Sequence, residues 1–241
     1  MSIKKYVPNA ITMGNMLSGC IAVVFAVNDR LELAAIFVAL GIFFDFFDGF
    51  FARILNASSE VGLQLDSLAD MVTSGVVPGV VMYQLLEDAS GIPWGAQLAE
   101  QHFHLGYLGF AITLASGYRL AKFNVDDRQT NSFIGLPTPA NTLFILSLPL
   151  ILMYEDYAFA KAVLTNPYVL LVITALSSFI LNAELPLFAL KFKSWGFAEN
   201  KVRYFFILSS ILLIVFFKFL GVPLLIILYI LLSLFFKEKK N

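Results

Sequence analysis

The sequence predicts an all-α integral membrane fold with eight transmembrane helices, and three observations carry that expectation. Hydrophobic residues make up 59% of the 241, with 25 Phe and a mean hydropathy of +0.81, more apolar surface than a soluble domain of this size can bury. Apolar runs near the roughly 20 residues needed to cross hydrocarbon recur over residues 8–27, 31–55, 60–86, 104–123, 137–153, 167–190, 203–217 and 221–236. The basic residues are also one-sided. With the N-terminus inside, Lys4, Lys5, Arg53, Arg119, Lys122, Arg128, Lys191, Lys193, Lys201, Arg203, Lys237, Lys239 and Lys240 are cytoplasmic, 13 of the 16. Only Arg30, Lys161 and Lys218 fall outside, so both termini are expected in the cytoplasm.

The first run starts at Pro8 and is too long for a signal h-region, with no clear small-residue cleavage site, so it reads as a retained helix. Cys20, the only cysteine, lies within it and excludes an intramolecular disulfide or a thiolate metal cluster. A net charge of -1 without a basic, aromatic-interleaved stretch points away from nucleic acid as a partner. The second and third runs form an antiparallel hairpin around a cytoplasmic turn at residues 56–60. The connector 87–103 carries Glu87, Asp88 and Glu100 but no Lys or Arg, as an external loop should, and puts His102 and His104 at the external surface. The fourth run ends with Arg119, Lys122 and Asn124, followed by Arg128. Gly135, Pro137 and Pro139 make a stiff entry to the fifth. Asn182 and Glu184 close the sixth, Trp195 reads as an interfacial anchor, and residues 222–236, without an interior charge, read as scaffold.

The hairpin holds the chain's most costly residues. Asp45, Asp48 and Ala52 follow one face of the second helix, and Gly62, Asp66 and Asp70 one face of the third. Residues at equal depth in an antiparallel pair share an index sum, and Asp45 with Asp70, Asp48 with Asp66, and Ala52 with Gly62 give 115, 114 and 114. At about 1.5 Å per residue the first acidic rung lies roughly 10 to 12 Å from the turn and the second roughly 15 Å. Ala52 and Gly62 form the outermost rung, where lack of bulk lets helices approach or admits a ligand.

Four facing carboxylates must be protonated, paired or neutralised by cations. Hard oxygen ligands without Cys or His suit Mg²⁺, Mn²⁺ or Ca²⁺. Two divalent ions would cancel the charge and hold a diphosphate. Gly49 leaves backbone room for a phosphate or nucleotide, and Arg53 stands near the mouth with a guanidinium suited to phosphate. The plain alternative is a structural network with Arg53 and Arg119, which four acids in register with two small residues disfavour.

The pattern D-x2-D-G-x2-A-R-x8-G-x3-D-x3-D is matched at Asp45, Asp48, Gly49, Ala52, Arg53, Gly62, Asp66 and Asp70, and it resembles the signature of the CDP-alcohol phosphotransferases. That resemblance implies an integral membrane enzyme in which an alcohol hydroxyl displaces CMP from a CDP-linked lipid. It also implies a six-helix core, here followed by two further helices, and a homodimer. The division expected is a catalytic core over residues 1–190 and, over 191–241, an interfacial connector with two additional helices. The resemblance further implies Asp45, Asp48, Asp66 and Asp70 as ligands of two Mg²⁺ or Mn²⁺ ions, and Asp70 also as the general base. The nucleotide and diphosphate would lie against Asp48, Gly49, Ala52, Arg53 and Gly62.

P-N-A-I-T-M-G-N at residues 8–15, and R-L-A-K-F-N followed by F-I-G-L-P-T-P-A-N between Arg119 and Asn141, resemble the branch of the family whose acceptor is serine. The reaction implied is transfer of the phosphatidyl group of CDP-diacylglycerol to L-serine, at a site facing the cytoplasm. Asn15, about 10 Å into the first helix, would donate to a phosphate or cytosine or make an interhelical bond. Serine brings a carboxylate that needs a cation, and Arg119, Lys122, Asn124 and Arg128 are the nearest supply. Ser116, Thr138 and Asn141 could face the same pocket. Glycerol 3-phosphate or inositol phosphate would demand a denser basic pocket. A cation transporter would need a polar path to the other side, which Leu31 to Gly41 and Thr73 to Leu86 do not offer.

Overall fold

The computed structural model describes residues 6–91, 104–126, 133–188, 196–197 and 200–235. Helices α1 (Tyr6–Val27), α2 (Leu31–Ile54) and α3 (Glu60–Ala89) follow the first three apolar runs closely. A 3₁₀ segment, Leu105–Phe110, leads into α4 (Ala111–Val125). Then come α5 (Thr138–Tyr154), a short α6 (Ala158–Leu164), α7 (Pro167–Asn182) and α8 (Lys201–Phe235). The chain is a multi-pass membrane protein. Among the described helices, α1, α2, α3 and α8 are long and apolar enough to cross a bilayer, and α6 with α7, bent by 77°, is a broken span or a re-entrant pair, for four to five candidate spans.

The turn between α2 and α3 is built by its polar residues. Asn56 takes a positive φ of 48°, as Asn tolerates, and Ser59 caps α3 by accepting the Gly62 N–H at 3.0 Å. Helix α3 is the central post: from Val77 to Glu87 every residue is buried. Around it Ala22, Ala26, Val38, Ile112 and Ile145 complete the apolar core, which fills the half of the bundle away from the acidic hairpin turn.

Midway, α3 widens into a π-helical stretch, Met71–Val76, directly after Asp70. Pro78 explains part of it. A proline has no N–H for the carbonyl four residues back, and that carbonyl, Ser74 O, instead accepts the Thr142 hydroxyl at 2.9 Å. The neighbouring Gly75 O accepts Thr113 Oγ1 at 2.9 Å. Away from water such replacements are what make an irregular helix tolerable.

The structure departs from the sequence expectation in three places. The sixth run stops at Asn182 rather than 190, because Pro186 disfavours helix in the residue before it. The chain there forms a two-residue antiparallel pairing, Phe133↔Leu187 and Ile134↔Pro186, the one strand contact among the described residues. His104, expected at the surface, is buried: its Nδ1 lies 3.1 Å from Oε2 of the fully buried Glu87, whose Oε1 accepts the Gly106 N–H at 2.8 Å. A carboxylate buried at the end of α3 must find donors, and the 3₁₀ segment folds back to supply them.

The last helix is two helices. Lys218 has φ 45° and ψ -118°, which breaks α8. The Phe206 and Tyr229 rings lie 5.6 Å apart, and a Cβ on Gly221 would run into the Leu213 carbonyl. Those pairs have index sums of 435 and 434, the mark of an antiparallel hairpin with its bend at Lys218. Glu155 Oε1 accepts the N–H groups of Phe219 and Leu220 at 2.8 and 3.2 Å, capping the second half. The hairpin packs Phe206, Ile226, Tyr229 and Leu232 against Leu136, Leu187 and Phe188.

Candidate functional site

The Asp48 and Asp66 rung of α2 and α3 meets, and Asp45, which the index sums paired with Asp70, joins it instead. Asp45, Asp48 and Asp66 each bring a carboxylate oxygen within 4.8 Å of the other two. Asp48 is buried, and its Oδ2 has no hydrogen-bond partner among the described residues. Three carboxylates at that separation repel one another, and a buried oxygen without a donor is costly. Both costs vanish when a hard divalent cation sits between them, so the donor set fits such an ion.

Asp70 stands one turn deeper, outside that converging set. Its Oδ1 accepts a hydrogen bond from Asn15 Nδ2 at 3.3 Å. Asn15 is fully buried and is absent from the lining of the adjoining cavity, and of the two roles its position offered the structure shows the interhelical bond, to the deeper acid.

That cavity, about 180 Å³, opens beside Asp48 and Asp66. Gly49, Ala52 and Gly62 line it, as the small-residue rung predicts, together with Ala57, Ser58, Ser59 and Leu63 of the turn and the start of α3. A Cβ on Gly49 would meet nothing within 4 Å, so the glycine widens open space rather than relieving a clash. Arg53 is exposed and its Nε donates to Gly49 O at 2.9 Å, along its own helix. Three lining residues from α1, Pro8, Asn9 and Thr12, were not singled out by the spacing argument. The signal was present in P-N-A-I-T: Asn9 and Thr12 lie three residues apart on one helix face.

On the other side of Asp70 the fourth helix brings in Arg119. It is 7% exposed, its Nη2 lies 3.5 Å from Gly135 O, and its Nε has no hydrogen-bond partner among the described residues. Asp70 is close enough to act on the Arg119 charge, and the guanidinium lies 6.0 Å from the centre of the Phe123 ring. Gly135 takes a φ of +75°, open to glycine without strain, and this turns its carbonyl toward the guanidinium. The remaining cations and amides behave differently. Lys122 pairs with Glu184 at 2.8 Å, and Asn124 Nδ2 donates to Ser67 Oγ at 2.9 Å, tying α4 to α3. Arg128 lies outside the described residues, as do Lys4, Lys5, His102, Lys191, Lys193, Trp195 and the basic C-terminal end. Ser116, Thr138 and Asn141 are buried; Asn141 Oδ1 accepts the Ser177 hydroxyl, and Ser116 Oγ has no partner among the described residues.

Residues 5–180 match the family described as CDP-alcohol phosphatidyltransferase. The chain belongs to that family. It is accordingly a phosphotransferase, and the matched span contains α1 to α6 and most of α7, stopping short of the C-terminal hairpin. Relatives agree. The chain is 35% identical over 138 residues to the CDP-diacylglycerol--serine O-phosphatidyltransferase of Bacillus subtilis, covering 56% of this chain and 70% of that protein. It is 34% identical over 154 residues to the protein of the same name from Saccharomyces cerevisiae, covering 57% of this chain and 51% of that one. With the Mycobacterium leprae protein of that name the identity is 30% over 148 residues, 58% of this chain and 45% of that one. The chain thus spans about half the length of several curated relatives it matches.

Proposed function

We propose that this phosphotransferase moves the phosphatidyl group of CDP-diacylglycerol to the hydroxyl of L-serine, giving phosphatidylserine and CMP. The observation that carries the acceptor is Arg119: a buried guanidinium beside Asp70 with an unpartnered Nε suits an acceptor that carries its own carboxylate. The names of the relatives point the same way.

The diphosphate enters the cavity between α1 and the α2–α3 turn. Gly49, Ala52 and Gly62 let it approach the helices, Asn9 and Thr12 offer polar groups, and Arg53 guards the mouth. Asp45, Asp48 and Asp66, with Asp70 beside them, would hold divalent cations, Mg²⁺ or Mn²⁺, whose charge when bound neutralises the diphosphate and the leaving CMP. Arg119 binds and orients the serine carboxylate, and Lys122, Asn124 and Arg128, which follow it in the sequence, belong to the same proposed acceptor set. Asp70 accepts the proton of the serine hydroxyl as its oxygen bonds to the lipid-bearing phosphorus. The bond from that phosphorus to the CMP oxygen breaks, and CMP departs with the electron pair. The apolar core over the far half of α3 closes the site to water from the opposite side.

The membrane arrangement belongs to the same reading. Eight spans, a catalytic core of residues 1–190 with a C-terminal extension, both termini and the site facing the cytoplasm, and a homodimer follow from the basic-residue distribution and the family. The antiparallel α8 hairpin supports the split of Lys201–Phe235 into two crossings. The deciding experiment measures CMP release from CDP-diacylglycerol in detergent with serine, glycerol 3-phosphate or inositol phosphate offered separately. Release with serine alone is expected; release with either phosphate acceptor and not serine overturns the acceptor.

A further inference from the structure

Thr73 belongs neither to the acidic motif nor to the cavity, yet it sits three residues after Asp70 inside the π-helical stretch and is 1% exposed. Its hydroxyl lies 2.8 Å from Asn15 Oδ1 and 3.2 Å from Asn15 O. A hydroxyl donating to the amide oxygen fixes which end of the amide faces the other way. The other end, Asn15 Nδ2, donates to Asp70 Oδ1 at 3.3 Å.

The setting leaves this arrangement little freedom. A Cβ on Gly19 of α1 would run into the Thr73 hydroxyl, and one on Gly41 of α2 would come within 2.7 Å of Thr73 Cγ2 and 2.9 Å of Asn15 Oδ1. Two glycines on neighbouring helices thus make a slot for one threonine, and three helices converge on it. π-helical turns often accompany functional sites, and this one begins at the residue after Asp70.

We propose that Thr73 and Asn15 form a positioning relay for Asp70. The Thr73 hydroxyl sets the Asn15 amide, and the amide holds Asp70 Oδ1, leaving Oδ2 for the proton of the acceptor hydroxyl. Asn15 then acts on the base and not on the nucleotide. The relay rests on the reading of Asp70 as general base, and neither Thr73 nor Asn15 touches the acceptor.

The test uses the full-length enzyme in detergent, with kcat, KM for serine, KM for CDP-diacylglycerol and Mn²⁺ affinity by calorimetry as separate readouts. Thr73→Val keeps the shape and removes the hydroxyl. It is expected to lower kcat about tenfold, the scale of one misdirected hydrogen bond, with both KM values and Mn²⁺ affinity unchanged, while Thr73→Ser returns kcat to within about twofold. In an Asp70→Asn background, Thr73→Val should cause no further loss. Should Thr73→Val not fold, Asn15→Ala replaces it in the same cycle with the same expectations. A full tenfold effect persisting in the Asp70→Asn background, failure of Thr73→Ser to rescue, or a loss confined to KM or Mn²⁺ affinity overturns the relay. Normal turnover by Asp70→Asn alone overturns the base assignment itself, whatever Thr73 does.

Discussion

Helix α3 carries acidic residues toward both ends, and the two ends treat them in opposite ways. At Glu87 the carboxylate is fully enclosed, with the Gly106 N–H on one oxygen and the His104 ring on the other. At Asp66 the carboxylate faces two more carboxylates, one with a buried oxygen that lacks any partner among the described residues, beside an open cavity. A buried charge is thus no guide to function by itself. The satisfied one holds the fold together; the cluster around the unpartnered Asp48 oxygen awaits a ligand.

The contrast is sharpest where one acid is removed at each end. Asp48→Ala should abolish CMP release, by about a thousandfold or more, while the thermal midpoint of the metal-free protein holds or rises, since repulsion is relieved. A metal-free protein that unfolds markedly earlier would make Asp48 structural. Glu87→Ala should do the reverse. It strands the Gly106 N–H and His104, so a loss of about 2 to 4 kcal/mol in unfolding free energy is expected, with kcat per folded molecule within about twofold of the parent. A collapse of kcat without loss of stability would contradict the division between the ends.

Metal removal probes the same divide. If the acidic end awaits a cation, Mn²⁺ at about a hundred times its dissociation constant should stabilise the parent by about 2.7 kcal/mol. The shift should survive Glu87→Ala and vanish in Asp48→Ala, as read by thermal melts with and without chelator. The smallest effect concerns Lys122 and Glu184, whose ion pair is largely exposed. Glu184→Ala should change stability by less than about 1 kcal/mol. If Lys122 serves the acceptor, freeing it should alter KM for serine while leaving KM for CDP-diacylglycerol in place.

The open end was far more legible than the closed one. Constant index sums among Asp45, Asp48, Ala52, Gly62, Asp66 and Asp70 are a local property of one hairpin, and both helix boundaries at its turn were read within a residue. The closed end depends on residues distant in sequence. Glu87 and His104 lie on opposite sides of what reads as a loop, and nothing local announces that the 3₁₀ segment folds back. The π turn was announced only by Pro78, whose missing N–H disturbs carbonyls earlier in α3. The pairing of Phe133 and Ile134 with Leu187 and Pro186 was hidden for the same reason as His104, because both partners look like ordinary connectors until the helices bring them together. Arg119 had the residue type for an acceptor site, but its burial comes from α4 packing beside the π turn and from Gly135, which sequence spacing does not measure.

The lining of the cavity, from Pro8 to Asp66, has a consequence for how the protein is made. Every residue that lines that space lies in the first three helices or in the short turn between the second and third, so its contacts close early and locally. By the time α3 has left the ribosome the nascent chain already carries all four motif acids, whereas Arg119 and the Gly135 carbonyl that steadies it arrive later in synthesis. The chemistry of the acidic hairpin is therefore written first, and the part that chooses the acceptor is added to a pocket already in being.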